Sequence, residues 1–257
     1  MRTYLPPLLL IAIALGFMLQ TACAPFYVAP KAQAPLLRNA GEVHLAAATD
    51  IGGEGHDAQI AWSPYEHVGL YGRFSIAPTD SGSPGKETHL RHTHGDIAAG
   101  WYSGNAEGTR VELMGGMGLG TTTNLRQRDL PIDTLPHYAG IYSDSDLYAE
   151  RGTYLQYFIQ GDWGSTLNVT GDVITFAESG FAIRAGWLRF IHLNDANGND
   201  LPQSIFFLEP AAFIRGGSRL IQLEGEAGAS GLLGAGPFMN VGIYLRVGVH
   251  FMFGRMP

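Results

Sequence analysis

Asn240-Val241-Gly242-Ile243-Tyr244-Leu245-Arg246-Val247-Gly248-Val249-His250-Phe251-Met252-Phe253 alternates along its whole length. Val241, Ile243, Leu245, Val247, Val249, Phe251 and Phe253 fall on one side. Asn240, Gly242, Tyr244, Arg246, Gly248, His250 and Met252 fall on the other. A period of two marks a β-strand with one apolar face and one polar or small face. A membrane-crossing strand needs about 9–11 residues, and this stretch is long enough. A chain that ends this way implies an outer-membrane barrel closing on itself.

Upstream, similar segments follow at about 42–49, 56–63, 66–77, 91–102, 108–120, 151–164, 173–190, 203–215 and 219–228, with 238–253 the last. The connections sort by length. Even-numbered ones are short, such as Ser63-Pro64-Tyr65 and Gly216-Gly217-Ser218, and odd-numbered ones are mostly longer, 121–150 above all. Short turns at one end and long loops at the other are how an outer-membrane barrel is built. The fold expected is all-β, an antiparallel up-and-down transmembrane β-barrel of about ten strands, with eight or twelve as alternatives. Both termini then lie on the periplasmic side and the long loops are extracellular. Pro210 interrupts a strand where it removes a ladder hydrogen bond, which predicts a bulge around Glu209-Pro210.

Tryptophan tests this layout independently. Trp62, Trp101 and Trp163 fall near the ends of the second, fourth and sixth strands, in phase with apolar neighbours, and Phe251 and Phe253 join them. Aromatic rings with a polar edge collect at membrane interfaces. The opposite phase is polar: Arg73, Arg110, Glu112, Arg184, Glu209, Arg215, Glu224, Glu226 and Arg246 are expected to point inward. Isolated charges in a narrow lumen are costly, so these should pair into a network that plugs the barrel.

The chain has 257 residues, 15% charged, with 35 glycines and a net charge of −7. Low charge and abundant glycine fit many short strands. The negative balance argues against nucleic acid as a partner. Residues 1–22 read as an export signal, with Arg2, an apolar core from Leu8 to Leu19, and small residues after it. The sole cysteine, Cys23, follows directly in Leu19-Gln20-Thr21-Ala22-Cys23, similar to a bacterial lipobox, and is the expected lipidation site. No intrachain disulfide can form with one cysteine. The expected division is a signal peptide over 1–22, a lipidated extended leader over 23–40 with Pro25, Pro30 and Pro35, and a barrel over 41–257.

Cys23-Ala24-Pro25-Phe26-Tyr27-Val28-Ala29-Pro30, Pro35-Leu36-Leu37, Gly41-Glu42, Gln59-Ile60-Ala61 and His67-Val68-Gly69-Leu70 resemble motifs of small Bacteroidetes outer-membrane β-barrel lipoproteins. The resemblance implies an outer-membrane barrel and supplies no reaction or catalytic residues. This chain departs from the pattern at Ala29 and at Gln20.

Few residues suggest chemistry. His89, His92 and His94 with Asp96 form H-x-x-H-x-H-x-D, and His92, His94 and Asp96 share a strand face, a geometry open to zinc or copper at a barrel mouth. A plain polar strand entrance explains the same residues, and no metal or other cofactor is expected. Asp195-Ala196-Asn197-Gly198-Asn199-Asp200 fails the EF-hand template and reads as a solvated turn. Gly115-Gly116-Met117-Gly118-Leu119-Gly120 has no helix after it, so it reads as barrel wall rather than phosphate loop. Loop 121–150 carries Tyr138, Tyr142 and Tyr148 and suits contact with an extracellular ligand. The sequence lacks H-E-x-x-H, G-x-S-x-G and Walker motifs.

The function expected is a structural or surface-recognition role without catalysis. The alternatives are a narrow channel or small-solute transporter, a lipid-modifying outer-membrane enzyme, and a soluble ligand-binding barrel lipoprotein. The partners implied are membrane lipids and the machineries that assemble barrels and sort lipoproteins.

Overall fold

A computed structural model describes residues 32–51, 55–81, 88–104, 108–127, 147–167, 175–194, 204–218, 220–233 and 240–254. The strands are β1 (Val43–Asp50), β2 (His56–Tyr65), β3 (Val68–Ser81), β4 (Thr88–Gly104), β5 (Thr109–Gln127), β6 (Leu147–Leu167), β7 (Phe176–Asn194), β8 (Ser204–Gly217), β9 (Ile221–Leu233) and β10 (Asn240–Phe253). Each pairs antiparallel with the next, and β1 pairs with β10 from Val43↔Phe253 to Asp50↔Arg246. The sheet is therefore a closed ten-stranded antiparallel barrel with no free edge. Closure matters because hydrocarbon offers no partner for an exposed row of backbone N–H and C=O groups.

Alternation sorts the side chains as a membrane barrel requires. On β5, Val111, Leu113, Met117 and Leu119 are exposed, while Arg110, Glu112, Met114 and Thr122 are buried. The other strands repeat this inversion: Ile60, Ile97, Ile159, Ile214, Leu223 and Leu245 all face outward. Trp62, Trp101, Trp163 and Phe253 are exposed and Phe251 is partly so, all near the end where β1 begins and β10 stops. Trp163 stacks on Phe181 with ring centroids 5.4 Å apart. Toward the other end the wall turns polar at Arg91, Thr93, Thr121, Thr153 and Arg189. On β5 the apolar stretch from Val111 to Leu119 is nine residues long, close to the roughly 9–11 that a tilted strand needs to cross a bilayer. This is the fold of an outer-membrane β-barrel.

Several details differ from expectation. β5 and β6 continue past the membrane band as a hairpin, paired out to Gln127↔Leu147. The flanks of 121–150, including Arg126 and Tyr148, are therefore strand, and 128–146 with Tyr138 and Tyr142 lies outside the described residues. No bulge forms at Pro210. Glu209 and Pro210 pair regularly with Arg184 and Ile183 on β7, and the β8–β9 register is unchanged from Leu208↔Gly231 to Ala211↔Gly228. Proline lacks only an N–H, so the ladder can skip a rung without inserting a residue. A register shift lies instead between β6 and β7 at Thr153/Tyr154.

The exposed wall makes a graded prediction. Ile159→Arg, in the apolar band, should destabilise the barrel by about 2–4 kcal/mol, whereas Thr121→Arg at the polar rim should cost about 0–1 kcal/mol. Chemical unfolding of the two variants in lipid vesicles measures the difference.

Candidate functional site: a filled lumen

The inward faces of β3 to β7 meet at a cluster of rings and charges. His92 and His94 each aim a ring nitrogen at the Tyr154 hydroxyl, at 2.6 and 3.0 Å. His94 Nε2 lies 3.0 Å from Asp96 Oδ2. An ionised carboxylate only accepts, so His94 Nε2–H donates to Asp96 and His94 Nδ1 accepts from the tyrosine. The tyrosine oxygen is then left to accept from His92 Nε2–H, and every donor in the chain finds an acceptor. Asp96 also binds Arg73 at 2.5 Å and Arg184 at 2.8 Å. Arg184 stands over the Phe158 ring at 3.5 Å.

This arrangement bears directly on the metal candidates. His92, His94 and Asp96 are at most 4% exposed, inside the lumen rather than at an open mouth. Asp96 is committed to two guanidinium groups, and both imidazoles converge on a phenol. Among the described residues, no group of three His, Cys, Asp or Glu side chains is placed to hold a metal. Glycines in β5 make room for the rings: a β-carbon on Gly118 would lie 2.6 Å from His94, and one on Gly120 would collide with Tyr154.

The remaining charges form further groups. Arg246 bridges Asp57 at 2.9 Å and Glu226 at 2.6 Å. Arg215 binds Glu224 at 2.5 Å, and His250 lies 3.3 Å from the same carboxylate. Arg110 pairs with Glu178. Glu209 is fully buried opposite Arg184 across the β7–β8 ladder. Strand phase alone located the arginines, but Asp57 and Glu178 were missing from the expected network. They share an inward phase with Gln59 and Arg184, which is the signal that could have found them.

The largest difference concerns the leader. Its described part does not stand outside the barrel as a spacer: Ala32, Gln33, Ala34, Leu36 and Leu37 are at most 2% exposed and lie in the lumen. Glu112 accepts hydrogen bonds from the backbone N–H groups of Leu36 and Leu37, at 3.0 and 2.6 Å. Arg110 donates to the Leu36 carbonyl at 3.1 Å, Arg215 to that of Ala34, and Gln160 to that of Gln33 at 3.1 Å. Leu36 has φ 53°, a left-handed conformation that costs a residue with a β-carbon about 1–2 kcal/mol. The turn offsets this by directing consecutive amides at one anion, as backbone nests do. Two glycines receive the leucine side chains. A β-carbon on Gly69 would lie 2.9 Å from Leu37, and one on Gly164 would overlap Leu36.

A second carboxylate ties the segment to the barrel end. Glu42 accepts from the Arg38 and Asn39 amides at 2.7 and 3.1 Å, with His44 at 2.8 Å. Burial pushes the Glu42 carboxyl up, but the His44 hydrogen bond and the nearby Arg38 charge outweigh it and hold it below its ordinary value. Glu42 is thus ionised at neutral pH and keeps its role as acceptor.

Chemically this interior is a network of ion pairs and hydrogen bonds around an inserted peptide. Glu112→Ala removes the acceptor of two buried amides and should destabilise the barrel by about 1–3 kcal/mol for each amide left unpaired. In a Cys23→Ala background, a Leu37→Cys thiol should resist a membrane-impermeant maleimide and become reactive once Glu112→Ala is added. Labelling followed by mass measurement reads the change.

No protein-family model matches this sequence, and no curated protein does. Two solved structures similar to it are autotransporter barrels. The β domain of the Bordetella autotransporter Brka shares 10% identity over 82% of this chain and 97% of that one, with a TM-score of 0.32. The transport unit of the autotransporter AIDA-I from Escherichia coli shares 12% identity over 82% and 89%, with a TM-score of 0.34. Neither likeness bears on activity.

Proposed function

We propose that this protein is a non-conducting outer-membrane barrel lipoprotein with a structural or surface-recognition role. The observation that carries this reading is the double filling of the lumen. Ion pairs occupy its middle and residues 32–37 occupy the end at which the strands begin. A conducting barrel needs a continuous wet path, and here the inward side chains meet one another instead. The work is then left to the surface: the loops at the far end and the membrane-facing wall.

In this reading the β1 start and the β10 end face the periplasm and the β5–β6 hairpin faces outward. Cys23 lies outside the described residues. It is nine positions before Ala32, so the chain between them can reach about 30 Å at most. An acyl group on Cys23 therefore inserts close to the barrel.

Purified full-length protein in planar bilayers should show no stable conductance steps. Steady ohmic steps from the intact chain overturn the non-conducting reading. Metabolic labelling with a radioactive fatty acid tests the anchor separately: label should enter the wild type and be absent from Cys23→Ala.

A further inference from the structure

The membrane-facing wall from β1 to β6 carries a groove of about 840 Å³. Small-molecule sites span about 300–1,000 Å³, so this is ample for part of an organic ligand. Gly72 and Gly95 form its floor, and Ile60, Phe74, Ile97, Met117 and Leu119 stand around them. The pairing explains the shape: Gly72 lies between Ile60 and Ile97, and Gly95 lies between Phe74 and Leu119.

These two glycines differ from those lining the lumen. A β-carbon on either would meet no atom beyond its chain neighbours nearer than 3.8 Å, whereas one on Gly118 would meet His94 at 2.6 Å. Packing within the barrel therefore does not require glycine at 72 or 95. What their bare backbone leaves is room on the membrane side.

Charge supplies the second observation. Among the described outward-facing strand side chains, only Arg91 and Arg189 carry a permanent charge, and both are positive. Both stand at the polar rim. Arg91 is on the same face of β4 as Gly95, four residues along, or about 13 Å at the usual strand rise. Thr93 lies between them on that face, paired with Thr121, and both are exposed. A guanidinium above an apolar channel matches a phosphate above a hydrocarbon chain, because its planar fork takes two phosphate oxygens at once.

We propose that this groove binds an anionic lipid, with one acyl chain over Gly72 and Gly95 and a headgroup phosphate on Arg91. The rest of the wall meets exchanging lipid; this site retains one. The proposal rests on the membrane reading of the fold and is independent of whether the lumen conducts.

Native mass spectrometry of the full-length barrel, released from detergent with phosphatidylglycerol or phosphatidylcholine added, tests it. One phosphatidylglycerol should be retained in preference to phosphatidylcholine. Arg91→Gln should lower phosphatidylglycerol retention about tenfold, as expected for losing a charge-assisted hydrogen bond, and lower phosphatidylcholine retention less, because choline offsets the charge of that lipid's own phosphate. Gly72→Leu with Gly95→Leu fills the floor and should abolish retention. Heat-modifiable gel migration confirms that each variant is folded, and Arg91→Gln, at the exposed rim, tests the site independently of the double variant. Equal retention of the two lipids by the wild type overturns the proposal. So does phosphatidylglycerol retention that survives filling of the groove in a folded barrel.

Discussion

The ladder from Val43↔Phe253 to Asp50↔Arg246 joins the first strand to the last, and the other features of the molecule depend on it. In hydrocarbon an unpaired backbone amide has nowhere to turn, so a sheet either closes or stays out of the membrane. Once it closes, each strand residue must face either lipid or lumen. Most leucines, isoleucines and valines take the first option, and most arginines and glutamates the second, by the same period of two. The polar interior follows from closure as directly as the greasy exterior does.

A polar interior this narrow brings its own difficulty. Charges withdrawn from water are expensive, and their attraction offsets the expense only where geometry and hydrogen bonds are good. The chain meets this with shared partners. Asp96 serves Arg73, Arg184 and His94, and Glu224 serves Arg215 and His250. Near the barrel end, backbone takes the place of side chains, and the amides of Leu36 and Leu37 answer Glu112. The leader is thus part of the electrostatic interior as well as a physical obstruction.

How far the sequence discloses this depends on the range of each interaction. Strand number and phase were legible because alternation is local, and the outward placement of Trp62, Trp101 and Trp163 follows from it. Inward arginines were legible for the same reason. Their partners were less so, since the pairing of Arg246 with Asp57 crosses 189 positions and depends on barrel closure. Pro25, Pro30 and Pro35 mark an extended leader but do not say what it packs against. Its place is set by Glu112, Gly69 and Gly164, all distant in sequence. The strand length of β5 and β6 beyond the membrane was also hidden, because threonine and arginine at 121–127 resemble a loop when read one strand at a time. His92, His94 and Asp96 do share a face, but Tyr154 claims both imidazoles from another strand.

The seating of Leu36 and Leu37 has a consequence for the order of assembly. Their sockets are built from β3, β5 and β6, and the bond from Arg215 to Ala34 comes from β8. A stretch that precedes every strand in the sequence must therefore wait for much of the wall to form around it, and its docking marks a barrel that is nearly complete.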